Sequence, residues 1–220
     1  MRSVRSSAKF PPAKAVVDAV ILTRDNTLPI SHSLSVGQTI PAGGAIFKTL
    51  ADPVMNDEPR AVSLATFAGT GIKAPGNSAL FEWNSNYVAE EIIRAGTLAS
   101  GPDSVGLANT IWQAFTNYAL PDGPDAGLVF TATLAGKAVL AKNKLGLWAE
   151  DKNGLIRLLL RGDQSVTVAP GVTKKVATFR LLDALPGSFG SRRSYNATGS
   201  VAVLATFTDK TQAILRLKCP

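Results

Sequence analysis

Four glutamates, Glu82, Glu90, Glu91 and Glu150, are the side chains whose chemistry would matter most in an enzyme. Two carboxylates flanking a glycosidic bond can protonate the leaving oxygen and activate water or attack the sugar. Such partners come from separate strands, so linear spacing does not pair them, and the adjacent Glu90 and Glu91 read more simply as a solvated strand edge. Other chemistries are poorly supplied. His32 is the one histidine, so any Ser-His-Asp triad would have to use it. Ser31 and Asp25 lie nearby, but neighbours on a strand point to opposite faces and no G-x-S-x-G elbow occurs, so His32 reads as a strand or turn residue. One histidine and one cysteine, Cys219, leave no His- or Cys-based zinc site and no intrachain disulfide. The acidic loops 52–57 and 122–125 lack the spaced oxygen ligands of a calcium loop, and Asp or Asn beside Pro or Gly is simply a good turn former. The sequence assigns no catalytic residue, no metal ligand and no cofactor.

Charge offers a better lead. Residues 151–220 carry eleven Lys and Arg against four Asp and Glu, which accounts for the whole net charge of +7. Lys174, Lys175, Arg180, Arg192 and Arg193, with Lys210, Arg216 and Lys218, could attract acidic glycans or an acidic protein partner. The simpler reading is a solvated or neighbour-binding face. Nucleic acid is disfavoured, because the aromatics among these cations do not follow the pattern of a base-stacking platform. Trp83, Trp112 and Trp148 could line a sugar site, yet two of them sit in core-like runs and read as packing. Arg161-Gly162-Asp163 spells an adhesion tripeptide but occupies a turn.

The elements that must position these groups are repeated. Residues 56–67 match 196–207, ending in Leu64-Ala65-Thr66-Phe67 and Leu204-Ala205-Thr206-Phe207, and a diverged middle copy spans 124–134. Ala79-Leu80-Phe81-Glu82-Trp83, Gly146-Leu147-Trp148-Ala149-Glu150 and Ala213-Ile214-Leu215-Arg216-Leu217 recur at steps of 67 residues. Turns at Gly37, Gly96 and Gly162 lead into proline-bearing loops, which read as breaks between strands. Four strand types follow: one at 19–23, 81, 148 and 215; a second at 30–36, 87–94 and 155–161; a third at 45–50, 111–120 and 175–182; and the repeat just quoted. A helical reading of 90–95 is set aside because its counterparts look like strand. Repetition at this period predicts an all-β fold of three repeats of about four antiparallel strands, β-propeller-like. Three units are fewer than a usual propeller, so the expectation is a partial propeller, as a fragment of a longer array, or a half-ring closing by dimerisation, which makes a homodimer one candidate partner, with a compact β-solenoid or sandwich as the remaining alternative.

The composition agrees: 45% hydrophobic residues supply a core, and nineteen glycines with thirteen prolines suit many turns. Residues 1–17 read as a flexible basic lead-in without the apolar stretch of a signal peptide, and 18–220 as a single domain with units at 18–77, 78–144 and 145–220. No run approaches the ~18 apolar residues of a membrane helix.

Gly146-Leu147-Trp148-Ala149-Glu150, then Gly154-Leu155, then Leu159-Leu160-Arg161-Gly162-Asp163, then Asn196-Ala197-Thr198-Gly199 followed by Val201-Ala202-Val203 and Leu204-Ala205-Thr206-Phe207, resembles the NxxGxxAF-type tandem repeat of bacterial, often surface-anchored proteins. The resemblance spans most of residues 18–218; the first unit has Pro59 or Arg60 at the motif glycine and the second has Pro124 or Gly123 at the motif asparagine. It implies a propeller-like extracellular or cell-surface array and carries no activity. The leading expectation is therefore a non-catalytic β-repeat module for attachment or ligand binding. The alternative is a glycan-active enzyme whose carboxylates converge at one end of the array.

Overall fold

Ala65, Ala132 and Ala205 open an Ala-Thr-Phe or Ala-Thr-Leu tripeptide in three copies of one strand, and each faces a small residue of the next strand: Ala79, Gly146 and Ala213. The repeat is thus a repeat of register. A computed structural model describes residues 20–23, 32–40, 44–56, 60–83, 89–99, 109–121, 127–181, 195–196 and 199–220. Among these the structure is all β-strand and turn, with no helix, and so with none long and apolar enough to cross a membrane. The basic lead-in expected at 1–17 lies outside the described residues.

The first two strands, β1 (Val20–Thr23) and β2 (His32–Ser35), form an antiparallel hairpin. Three antiparallel sheets follow, each a sequential meander. The first contains β3 (Ile46–Leu50), β4 (Val54–Met55), β5 (Ala61–Ala68), β6 (Ser78–Trp83) and β7 (Ala89–Arg94), ordered β3-β5-β6-β7 with β4 also on β5. The second is β8 (Ile111–Ala119), β9 (Val129–Ala135), β10 (Leu145–Glu150) and β11 (Ile156–Arg161) in chain order. The third contains β12 (Ser165–Ala169), β13 (Val172–Leu181), β14 (Tyr195–Asn196), β15 (Ser200–Phe207) and β16 (Gln212–Lys218), ordered β12-β13-β15-β16 with β14 also on β15. Three sheets of at least four antiparallel strands are consistent with a partial propeller-like arrangement. The sheets run out of phase with units drawn from sequence, because a repeat has no intrinsic starting point and hydrogen bonding closes the first two sheets on the second strand type, β7 and β11, and the third on the first type, β16.

Alternation dictates the layering. Along β5, β9 and β15, successive residues face opposite ways. Val62 and Leu80 on one face of the first sheet pack into a cluster with Trp112, Phe115, Phe130, Leu134 and Trp148 of the second. On the opposite face of the second sheet, Val129, Leu147, Ala149 and Leu160 pack with Val176, Phe179, Val203, Ala205 and Phe207 of the third. The leading face of each of the first two sheets is covered by the trailing face of the next. The trailing face of the first sheet buries a third cluster around Phe47, Phe67 and Phe81, whose rings meet at 5.2–5.8 Å. Burial of a Val, Leu or Phe side chain contributes about 1.5–3 kcal/mol, so these clusters dominate the stability.

Three further details repeat. The third-type strand bulges at one place in every sheet, between Phe47 and Thr49, Trp112 and Ala114, and Val176 and Thr178. A bulge adds a residue and sharpens local twist. The turn after each second-type strand is stapled to the following sheet: Gly37, Gly96 and Asp163 donate their amides to the carbonyls of Phe47, Trp112 and Val176 at 2.7–2.8 Å. Gln38, Thr97 and Gln164 return the bond by accepting from those same residues. The turn residues share a left-handed backbone, with φ of 88°, 84° and 68°. The third-unit counterpart of Gly37 and Gly96 is therefore Asp163 rather than Gly162, and the step from Gly96 to Asp163 is again 67 residues. Aspartate is among the few residues that tolerate this region. The stretch expected to be a loop leading to Pro170 is in its first part strand β12, pairing Ser165 with Lys175 and Thr167 with Thr173.

Candidate functional site

Of the four glutamates, the fold brings three to one end of the junction between the first two sheets. Glu82, late in β6, lies directly opposite Glu90 of β7, and Glu150 ends β10 on the neighbouring sheet. Arg60, immediately before β5, reaches across. Its Nε donates to Glu82 Oε1 at 2.6 Å and its Nη2 to Glu82 Oε2 at 2.7 Å, the forked geometry that makes Arg–carboxylate pairs strong. The same Nη2 donates to Glu150 Oε2 at 3.0 Å, and that oxygen also accepts the Leu128 amide at 3.0 Å. Arg60 thereby spans two sheets. The Glu82 hydrogen bond, with attraction from Glu150, raises the guanidinium above its already high ordinary value, so it stays charged at any relevant pH. Glu90 is exposed, while Glu91 pairs with Arg94, whose guanidinium carbon lies 4.5 Å from the centre of the Phe67 ring. No cluster of His, Cys, Asp and Glu among the described residues could hold a metal ion. His32 lies at the start of β2. Trp112 and Trp148 are fully buried, with ring centres 4.6 Å apart, and belong to the core.

The cations of the third unit divide into two groups. At one end of β13, Lys174 donates to Asp209 Oδ2 at 2.8 Å and to Thr211 Oγ1 at 2.6 Å, and sits 5.6 Å from the Phe207 ring centre. Lys174 first, then Thr211, hold the Asp209 carboxyl down to about 2. Lys175 and Lys142 both pair with Asp163, at 2.8 and 2.9 Å, and together lower that carboxyl. Asp163, the acid of the adhesion-like tripeptide, is thus fixed inside the turn. Arg180 stands apart from these pairs: exposed and opposite Leu204, it lies on the leading face of the third sheet. Arg216 and Lys218 of β16 share that face, opposite Ala202 and Ser200, and no ion pair engages the three cations among the described residues. Arg192 and Arg193 lie outside the described residues.

Two features were not read from sequence. Arg60 was not singled out, since nothing local marks a cation whose partners lie 22 and 90 residues away. Ile214 is 70% exposed, although its repeat counterparts Leu80 and Leu147 are 0% exposed. Comparing the three copies by burial, rather than by residue type, exposes that difference. Residues 20–215 match the family described as a family of unknown function, DUF7453. The chain belongs to DUF7453. The match begins at β1 and ends inside β16, so it takes in the hairpin and all three sheets of this chain. No curated protein and no solved structure matches the chain.

Proposed function

We propose that this chain is a non-catalytic β-repeat module that works by binding an acidic ligand or partner through its third sheet. The observation that carries the reading is the leading face of that sheet, whose Arg180, Arg216 and Lys218 are exposed and on which no other sheet packs among the described residues. In the first two sheets the same face is apolar and buried by the next sheet; in the third it carries Arg180, Arg216 and Lys218. A cluster of like charges unneutralised by neighbours attracts anions, and the attraction weakens with salt. Titrating a sulfated glycan into the protein at several salt concentrations tests it. Binding should weaken steeply with salt and be lost in Arg180→Glu/Arg216→Glu, while Lys175→Glu, a cation already paired within the fold, changes it little. Retention of binding by the double charge reversal would overturn the reading. The likeness to surface-anchored repeats supports a cell-surface setting for such a module.

The convergence of Glu82, Glu90 and Glu150 supports a second reading, a glycan-active enzyme. Against it, Arg60 donates to both Glu82 and Glu150, so the two carboxylates are engaged with a fixed cation rather than facing each other across a substrate gap. Hydrolysis of a glycan panel that disappears in Glu82→Gln and Glu150→Gln would establish the enzyme reading instead.

A further inference from the structure

We propose that β16 is a docking edge for an acidic, extended segment of a partner protein, which adds to the third sheet as an antiparallel strand. The inference rests on the binding-module reading and specifies the partner. In the first two sheets, the strand equivalent to β16 is never an edge. There β6 carries β7 in the register Ala79 opposite Arg94, and β10 carries β11 in the register Gly146 opposite Arg161. Ala213 is the matching residue of β16, which pairs only with β15 among the described residues. An unpaired edge presents free amides and carbonyls to any extended chain, and β-strand addition is a recurrent way of recognising peptides.

The side chains say which chain would fit. Ile214 is 70% exposed, whereas its counterparts Leu80 and Leu147 are wholly buried and lie opposite Ile93 of β7 and Leu160 of β11, so an added strand would set an apolar residue beside Ile214. Arg216 takes the place held by Glu82 in the first sheet, and Glu82 faces Glu90 across the strand pair. A strand carrying a carboxylate in the Glu90 position would therefore meet Arg216, with Lys218 beyond and Arg180 across Leu204. Opposite charges facing each other across a strand pair stabilise it, whereas two copies of this face meeting about a two-fold axis would oppose cation to cation.

Two synthetic peptides test the idea by fluorescence anisotropy with the full chain: residues 89–97, the acidic β7 sequence, and residues 156–163, the basic β11 sequence. The acidic peptide should bind at least about tenfold more tightly than the basic one. Arg216→Glu and Ile214→Asp should each weaken it about tenfold or more, both at exposed positions where melting curves confirm folding, while Lys142→Ala leaves it unchanged. Equal binding of the two peptides, no binding at millimolar peptide, or indifference to both substitutions would overturn the proposal. If the protein ignores the peptide yet still binds the sulfated glycan, strand addition fails and the binding-module reading stands; if it binds neither, both fail. A mass that doubles with concentration in light scattering, and no longer does so in Ile214→Asp, would assign the edge to a second copy and overturn the acidic partner.

Discussion

Gly146→Ala is a small change with a large expected effect. Gly146 is buried in β10, and a Cβ built on it would lie 2.6 Å from Cζ3 and 2.7 Å from Cζ2 of Trp148, two residues along the same face. Ordinary carbon–carbon contact is about 3.5–4.0 Å and Cη2 of the same ring would lie nearer still, so the indole must retreat by more than about 1 Å. It has nowhere to go: Trp112 stands edge-on at 4.6 Å between ring centres and Phe130 is stacked at 5.8 Å. Overpacking of this kind costs about 1–3 kcal/mol, and disturbing the aromatic geometry adds about 0.5–1.5. Restricting the unfolded chain at a glycine whose backbone is not left-handed returns about 0.4–1 kcal/mol. The net loss should be about 2–3 kcal/mol, or roughly 4–12 °C in the thermal midpoint for a chain of this size. The repeat supplies the control, because Ala79 and Ala213 are followed two residues later by Phe81 and Leu215, both smaller than tryptophan. In a Trp148→Phe background, Gly146→Ala should therefore be neutral or stabilising, a coupling of at least about 1 kcal/mol in a double-mutant cycle. Calorimetric melts of the four proteins measure it. The same loss in both backgrounds would refute the reasoning.

Acidification should act through Asp209 and Asp163. Their carboxyls are held below the ordinary 3.8, Asp209 at about 2, so their contribution is present above 3.8 and lost as pH falls toward about 2. The thermal midpoint should drop across that interval, and Asp209→Asn should be less stable at pH 6 yet fall less between pH 4 and pH 2. Arg60→Met removes the cation from two largely buried carboxylates; breaking a buried pair costs about 3–5 kcal/mol, and with Arg60 a quarter exposed a loss of about 2–3 is expected by denaturant titration. If Arg60→Met unfolds at the wild-type denaturant concentration, the junction does not hold the first two sheets together.

The fold was legible where the residues repeat. Ala65-Thr66-Phe67 and its copies announce one strand, one register and one buried face, and the 67-residue steps keep that face in phase. Of residues 90–95, helix-like by composition, 90–94 are strand because β6 offers a ladder and Ile93 packs into the core. Ser165–Ala169 was missed although its alternation is plain, because the glycine and proline around it read as a break. The cationic group was legible as composition and not as arrangement. Lys174 and Lys175 find their acids in turns distant in sequence, Asp209 and Asp163, and only the stacking of sheets leaves Arg180, Arg216 and Lys218 on an open face. Register and layering are tertiary facts, and no local pattern states them.

The staple from each turn to the next sheet also orders events in time. Gly37, Gly96 and Asp163 bond to a strand that emerges later in synthesis, so every sheet hands a preformed template to its successor as the chain leaves the ribosome. Growth of the array therefore has a polarity, from the amino-terminal hairpin forward. Each junction joins two kinds of contact, a pair of reciprocal backbone bonds at the turn and an apolar layer between the sheets, and parting neighbouring sheets must break both.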